Sequence, residues 1–377
     1  MRWITFFPNL KREHLTKDVG LLPFYMSKRG FKTTLLTTGQ GVEEADIPKE
    51  VESLNLQTLP NLGKHYFLDK SFVNYLENHA AEIDVLHLFH FNRDSILYAL
   101  KYKKKNPQGF LYVKLDAYNQ HLSRRKVFSK HPVKDLYLQI RARKFHKAVD
   151  LLTLENTGGL KIAKDTYPYW KNKLHYLPNG CNDLYLESLE IDDSEKENII
   201  LSVGRLGSPD KNYKLVLDAL EYLDMPDWKL RIIGPISENF SELIKDRREA
   251  NPGLFKRIEF IGEMTNREAL YTEYQRASVF FLPSKFESFG IAFVEALYFG
   301  NILVGHSGMA AFNDLSVKGK YGEYYEKNNP ESLATSLKSA AQKSAQPGIA
   351  NEISQHTREN FYWSSLARRL SSHIQND

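Results

Sequence analysis

Two carboxylates eight residues apart, Glu287 and Glu295, bracket the stretch Ser288-Phe289-Gly290-Ile291. An apolar strand pattern ends near Ser284, and a helical pattern begins near Gly290. The amides of Phe289, Gly290 and Ile291 then lie at a helix N-terminus, where N–H groups lack intrahelical acceptors and suit a phosphate. Gly290 lets a ligand approach the backbone closely. Glu287, in the loop, is placed to accept hydrogen bonds from sugar hydroxyls. Glu295, more than one turn into the helix, is placed to accept them from a ribose. Taken alone, the same pattern also fits an amphipathic helix with a polar first turn.

A second constellation is Gly204-Arg205, followed by Lys211-Asn212. Arg205 follows a strand pattern, and Lys211 follows the turn Gly207-Ser208-Pro209-Asp210 at the start of a helix pattern. Two cations past a strand end suit a diphosphate, Arg as a planar fork and Lys as a compact point charge. A surface Arg and a solvated Lys are the plainer account of this pair by itself. His87 and His90 close the strand Val85–Phe89 and read as structural histidines more readily than as ligands. No His-Glu-x-x-His, phosphate-binding Gly-x4-Gly-Lys-Ser/Thr or Gly-x-Ser-x-Gly pattern occurs, and there is no Asp-x-Asp triplet. Gly305-His306-Ser307-Gly308 reads as a loop after a strand, near the donor.

These residues need strands and helices to position them. In the first half, short apolar runs at Trp3–Phe7, Thr33–Thr38, Val85–Phe89, Phe110–Leu115, Val149–Glu155 and Leu174–Leu177 alternate with helical stretches near 18–29, 68–81, 93–105 and 134–147. The acidic segment Leu189–Asn198 reads as a linker. Beyond it, strands at Ile199–Gly204, Lys229–Gly234, Ile258–Gly262, Ser278–Pro283 and Ile302–Gly305 alternate with helices near 211–223, 238–250, 266–277, 290–299 and 330–343. Nearly continuous apolar strands separated by helices indicate parallel sheets covered on both faces. The predicted fold is therefore α/β, with two Rossmann-like domains and a cleft between them. The predicted domains are residues 1–185, joined by a C-terminal helix over 360–377 that packs back, and residues 196–355. In such sheets ligands sit beyond the carboxyl ends of the strands.

Together, strand–Gly204-Arg205, Lys211-Asn212 and Glu287-x7-Glu295 around Phe-Gly-Ile resemble the family-4 retaining glycosyltransferases of GT-B fold (glycosyl transferases group 1). Leu177-Pro178-Asn179-Gly180, Gly300-Asn301-Ile302-Leu303-Val304 and Phe361-Tyr362-Trp363-Ser364 extend the resemblance over nearly the whole chain. The resemblance implies an enzyme that moves a hexose from a nucleotide-sugar to a saccharide or lipid-linked saccharide in cell-surface polysaccharide or glycoconjugate synthesis. The anomeric configuration would be retained, without a metal, and a UDP-sugar is the favoured donor substrate, with no separate cofactor. Arg205 and Lys211 would neutralise the diphosphate, Glu287 would hold the donor sugar and Glu295 the ribose. Phe289, Gly290 and Ile291 would offer amides. Gly262, Glu263 and Met264 would border the base, and Gly20, in the loop after the first strand, would sit by the diphosphate. Asp116 stands where many members carry a histidine; it would accept a bond from a donor hydroxyl or orient the acceptor. The alternatives are a catalytically silent GT-B partner and a GT-B sugar-nucleotide epimerase.

The charge is uneven along the chain. Residues 1–182 carry 29 Lys and Arg against 17 Asp and Glu, a net +12, whereas residues 183–377 carry 22 against 29, a net −7. Residues 122–147 gather nine of the cations and interleave them with aromatic and aliphatic residues. Such a segment suits an anionic membrane surface; nucleic acid is not expected, because no recognition motif accompanies the charge. The single cysteine, Cys181, and the lack of any long apolar run predict a cytoplasmic protein, with peripheral attachment to the inner face of the membrane.

Overall fold

The structure, a computed structural model, describes residues 1–39, 41–65, 68–115, 132–191 and 195–375. It divides into two compact units, Met1–Asn182 with Trp363–Asp377, and Asp183–Tyr362.

In the first unit the strands are β1 (Arg2–Phe6), β2 (Lys32–Thr38), β3 (Leu56–Leu59), β4 (Val85–Phe89), β5 (Phe110–Leu115), β6 (Leu151–Leu154) and β7 (Leu174–Tyr176). They form one parallel sheet in the order β3-β2-β1-β4-β5-β6-β7. Its helices include α1 (Asp18–Lys28), α2 (Lys70–His79), α3 (Arg93–Lys105), α4 (Pro132–Ala148) and α5 (Thr157–Thr166). Every residue of β4 is buried, as both-face coverage of a parallel sheet requires. One apolar cluster packs Phe6, Phe72, Leu88 and Tyr102; the other packs Trp3, Leu22, Leu35 and Tyr25.

In the second unit the strands β8 (Glu197–Val203), β9 (Lys229–Ile233), β10 (Ile258–Gly262), β11 (Ala277–Phe281), β12 (Ile302–Gly305) and β13 (Gly322–Tyr324) are again parallel, in the order β10-β9-β8-β11-β12-β13. The helices are α6 (Lys214–Ala219), α7 (Glu238–Ala250), α8 (Arg267–Arg276), α9 (Ile291–Tyr298), α10 (Pro330–Ser344) and α11 (Ile349–Asn360). A last helix, α12 (Trp363–Gln375), belongs to the first unit. There it buries Trp363, Leu366, Leu370 and Ile374 in the cluster that includes Val19, Leu22 and Tyr25 of α1.

Each unit thus repeats one winding. The chain adds strands toward one edge, returns to the centre, and adds the rest toward the other edge. The order reverses between β1 and β4 in the first unit and between β8 and β11 in the second. Those gaps are the topological switch points, beyond which ligands bind in doubly wound sheets.

Several elements differ from the sequence-based expectation. The linker is shorter than Leu189–Asn198, since β8 already begins at Glu197 and pairs with Ala277 of β11. The edge strands β3 and β13 and the helix α11 were not expected from their patterns. Lys211 lies in the turn before α6 rather than on a helix, because the helix starts at Lys214.

Candidate active site

The second unit's switch point is built from the loops after β8 and β11. Gly204 and Gly234 end neighbouring strands so closely that a Cβ on Gly234 would lie 1.8 Å from the Gly204 carbonyl oxygen. Immediately beyond, Arg205 is exposed and has no ion pair or hydrogen bond among the described residues. The chain then turns through Ser208, whose carbonyl accepts from the Lys211 amide at 3.1 Å. The adjacent Asn212 takes a left-handed φ of 54°. The loop after β11 meets this turn: the Lys285 amide donates to the Asp210 carbonyl at 2.7 Å. The result is a direct ion pair and hydrogen bond between Lys211 Nζ and Glu287 Oε1. Ser284 Oγ donates to the same oxygen at 3.2 Å. The Glu287 side chain remains 16% exposed and that of Lys211 23%, so a ligand can reach both.

Helix α9 opens this loop toward an anion. The helices α2, α3, α5, α8 and α10 begin with Asp69, Asn92, Asn156, Asn266 and Asn329, each of whose side chains accepts from first-turn amides. Helix α9 instead has Gly290 at its N-cap, with a left-handed φ of 85° and no side-chain cap. A Cβ there would meet the Phe293 ring at 2.9 Å. The amides of Phe289, Gly290 and Ile291 consequently have no acceptor among the described residues, and the positive end of the helix is uncapped. Phe289 turns its ring into the core, so it offers only backbone.

Glu295 sits on the same helix but faces α8. Its two oxygens accept from the hydroxyls of Tyr271 at 3.3 Å and Tyr274 at 3.2 Å, and Arg267 lies 3.6 Å away. Burial, and then the Glu295 charge, hold the Tyr274 phenol protonated well above its ordinary range, which keeps it a donor. No contact joins Glu295 to Glu287 among the described residues. Gly262, with a φ of 83°, accepts at its carbonyl from the Gly234 amide at 2.8 Å. Glu263 is exposed and Met264 half-buried at the end of β10, the sheet edge two strands from the switch point.

Gly20 differs from the expectation in its local structure. Gly20 is not in a loop; it occupies the first turn of α1, and a Cβ there would stand 2.1 Å from the Leu15 carbonyl oxygen. It is a glycine because the preceding turn packs on it. Asp116, like the basic residues up to His131, lies outside the described residues. Of the rest of that basic segment, Arg143, Lys144 and Lys147 are exposed, whereas Phe145 is fully buried in the first unit's core and is not free to enter a bilayer. No helix among the described residues is long and apolar enough to cross a membrane.

At the first unit's switch point the structure holds a cavity of about 140 Å³. Its walls include Phe6, Phe7, Phe89 and Tyr98, and its polar rim includes Lys64, His90 and Asp94. His90 takes a left-handed φ of 62° there, with its amide donating to the Lys114 carbonyl at 2.8 Å. His87, in contrast, is buried in β4, 3.1 Å from Thr5 Oγ1 and stacked on Tyr112.

Sequence reading missed a buried ionic group in this unit. Lys114 Nζ, fully buried in β5, lies 2.8 Å from Asp18, 2.8 Å from Asn179 Oδ1 and 3.9 Å from Glu155. Burial works against its charge, but Asp18 and Glu155 outweigh burial and hold the ammonium above its ordinary range. One signal was present: a lysine inside the otherwise apolar run Phe-Leu-Tyr-Val-Lys-Leu.

Two doubly wound units, one with a Lys211–Glu287 ion pair, an Arg205 guanidinium without a partner among the described residues and uncapped helix amides at its switch point, define a protein of GT-B type. Residues 188–360, which span nearly all of the second unit and just under half of the chain, match the family described as Glycosyl transferases group 1. The chain is 22% identical over 246 residues to mannosylfructose-phosphate synthase of Agrobacterium fabrum, a match spanning 60% of this chain and 52% of that protein, so the chain covers about half the length of this curated relative. Its fold is similar to that of Anabaena Alr3699/HepE solved in complex with UDP, with a TM-score of 0.72, 13% identity and 100% of both chains covered. It is also similar to the lipopolysaccharide outer core galactosyltransferase WaaB in its apo form, with a TM-score of 0.69, 15% identity and 100% and 99% of the chains covered.

Proposed function

We propose that this protein is a retaining glycosyltransferase that moves a hexose from a nucleotide-sugar, with a UDP-sugar as the favoured donor, to a saccharide or lipid-linked saccharide. The observation that carries the reading is the Lys211–Glu287 pair at the strand exits that also bear Arg205, which has no partner among the described residues, and the uncapped amides of α9. Cleaving a glycosyl–phosphate bond leaves a diphosphate with growing negative charge next to an oxocarbenium-like sugar. Fixed cations and amide dipoles at the leaving group lower that barrier because they need no reorganisation during the step. Arg205 and Lys211 serve that role. Glu287, held by Ser284 and Lys211, keeps an acceptor-only carboxylate toward the sugar hydroxyls. The departing phosphate takes the proton of the incoming hydroxyl on the same face, which retains the configuration. Glu295 receives the ribose, and Gly262, Glu263 and Met264 border the base.

The acceptor belongs to the first unit. Its aromatic-walled cavity is smaller than the roughly 300–1,000 Å³ of sites for drug-sized ligands, and fits one sugar ring rather than a nucleotide. Asp116 is proposed to orient that acceptor. The exposed cations of α4 are proposed to rest on an anionic membrane at the cytoplasmic face, which suits a lipid-linked acceptor.

A panel of UDP-, GDP-, ADP- and dTDP-sugars tests the reading by thermal shift, followed by acceptor-free hydrolysis. Slow nucleotide release that disappears in Lys211→Ala and Glu287→Ala is the expected result. Tight binding with no turnover would instead identify a silent binding partner. Proton NMR of the released sugar at early times reads the anomeric configuration.

A further inference from the structure

We propose that His306 is a positioning residue that sets the place of Glu287 through Ser284; this rests on the reading of Glu287 as the carboxylate that holds the donor sugar. His306 follows β12 and is 2% exposed. Both ring nitrogens are engaged. Nε2 lies 2.9 Å from the Ser284 carbonyl oxygen, and Nδ1 accepts from the Gly308 amide at 3.0 Å. An acceptor on one side and a donor on the other fix the neutral tautomer with its proton on Nε2. Burial, with a smaller contribution from Lys327, moves the ring's pKa below its ordinary value and outweighs the opposing Ser284 bond.

The ring therefore staples the loop after β11 to the loop after β12. Its carbonyl partner, Ser284, is itself fully buried and donates its hydroxyl to Glu287 Oε1 at 3.2 Å. The second loop also grips Glu287 from behind, because the Ala310 amide donates to the Glu287 carbonyl at 3.1 Å. The Tyr325 ring meets the imidazole edge-on at 5.4 Å, and its hydroxyl donates to the Leu282 carbonyl at 3.3 Å in the same strand exit. Gly308 completes the staple: a Cβ there would lie 2.8 Å from His306 Cε1. None of these bonds runs to Arg205 or to the amides of α9. Loss of the staple should thus move the sugar contact, together with its ion-pair partner Lys211, and spare the diphosphate contacts from Arg205 and the α9 amides.

The test separates the two ring nitrogens. His306→Gln keeps a donor near the Nε2 position and the link to Ser284; His306→Asn keeps an acceptor near the Nδ1 position and only the link to Gly308. The probes are UDP-glucose, UDP-galactose, GDP-mannose, ADP-glucose and dTDP-glucose, with the free nucleoside diphosphates alongside. For the sugar nucleotide that wild type hydrolyses fastest, acceptor-free kcat is expected to fall about tenfold or more in His306→Asn, the size of one lost positioning hydrogen bond. It is expected to stay within about threefold of wild type in His306→Gln. Affinity for the free nucleoside diphosphate, by calorimetry, should hold within about twofold in both. Equal turnover in the Asn and Gln variants overturns the assignment, as does a loss of nucleotide affinity that matches the loss of turnover. A wild-type protein that binds none of the panel overturns the transferase reading and this inference together.

Discussion

The two switch points share one strand order and differ in what they present. In the second unit the gap between β8 and β11 is lined by charge and by backbone donors without acceptors among the described residues. In the first, the gap between β1 and β4 opens on aromatic rings with a sparse polar rim. One winding thus supplies a place, and the loop residues decide its chemistry. Under the proposed function, cations and amides would serve an anionic leaving group, while rings and a few polar groups would serve the flat face of a neutral sugar.

The sharpest way to break the contrast is to remove charge from the second site. Lys211→Ala or Glu287→Gln should lower kcat for donor hydrolysis by about 10²–10³-fold, the range seen when one preorganised electrostatic group is lost. Retention of near-wild-type turnover in either variant would remove the second unit from the chemistry. At the first site, Asp94→Asn keeps shape and removes a rim carboxylate. The acceptor KM should rise by about tenfold, while the donor KM holds, as for a lost hydrogen bond to a charged group. A change confined to the donor KM would assign that cavity to the donor instead.

The scaffold of the first unit yields to two smaller perturbations. Gly20→Ala forces a methyl against the Leu15 carbonyl and should cost about 1–3 kcal/mol, read as a lower urea midpoint. An unchanged midpoint would return Gly20 to consideration as a ligand-facing residue. His146 is buried; burial, and then Lys173, lower its pKa to about 4, and Trp170 Nε1–H donates to its Nδ1 at 2.7 Å. The folded state resists protonation that the unfolded chain accepts. The contribution is therefore complete above the unfolded value of about 6.5 and is lost as pH falls from there toward 4. The slope of urea stability with pH in that window should shrink in His146→Gln. An unaltered slope would place the proton uptake elsewhere.

Much of the architecture was legible because it rests on local pattern. Val85–Phe89 and Phe110–Leu115 are apolar runs of strand length, and they form strands with those bounds. The pairing of Lys211 with Glu287 was not legible as a contact, although both residues were singled out. Their separation of 76 positions closes only when β8 and β11 become neighbours. Edge strand β3, Leu-Gln-Thr-Leu, lacks strong apolar periodicity, and its pairing with β2 decides it; helix α11 buries Ile349, Ile353 and Thr357 at helical spacing, but a stripe with a threonine among its three members is faint in sequence. Gly20 reads as a loop glycine because sequence shows small size but not which neighbour demands it. The roles of Ser284 and His306 were hidden for the same reason: each acts through a backbone carbonyl or amide of a distant loop, which no residue type announces.

The placement of α12 has a consequence for synthesis. The first unit's Trp3–Leu22–Tyr25 cluster takes one wall from residues made some 180 positions later, while the intervening unit is continuous in sequence. At about 5–20 residues per second, the nascent first unit waits on the order of 10–40 s for that wall, and the continuous unit can be finished first. During the wait an apolar strip that Trp363, Leu366, Leu370 and Ile374 will cover stays open to solvent.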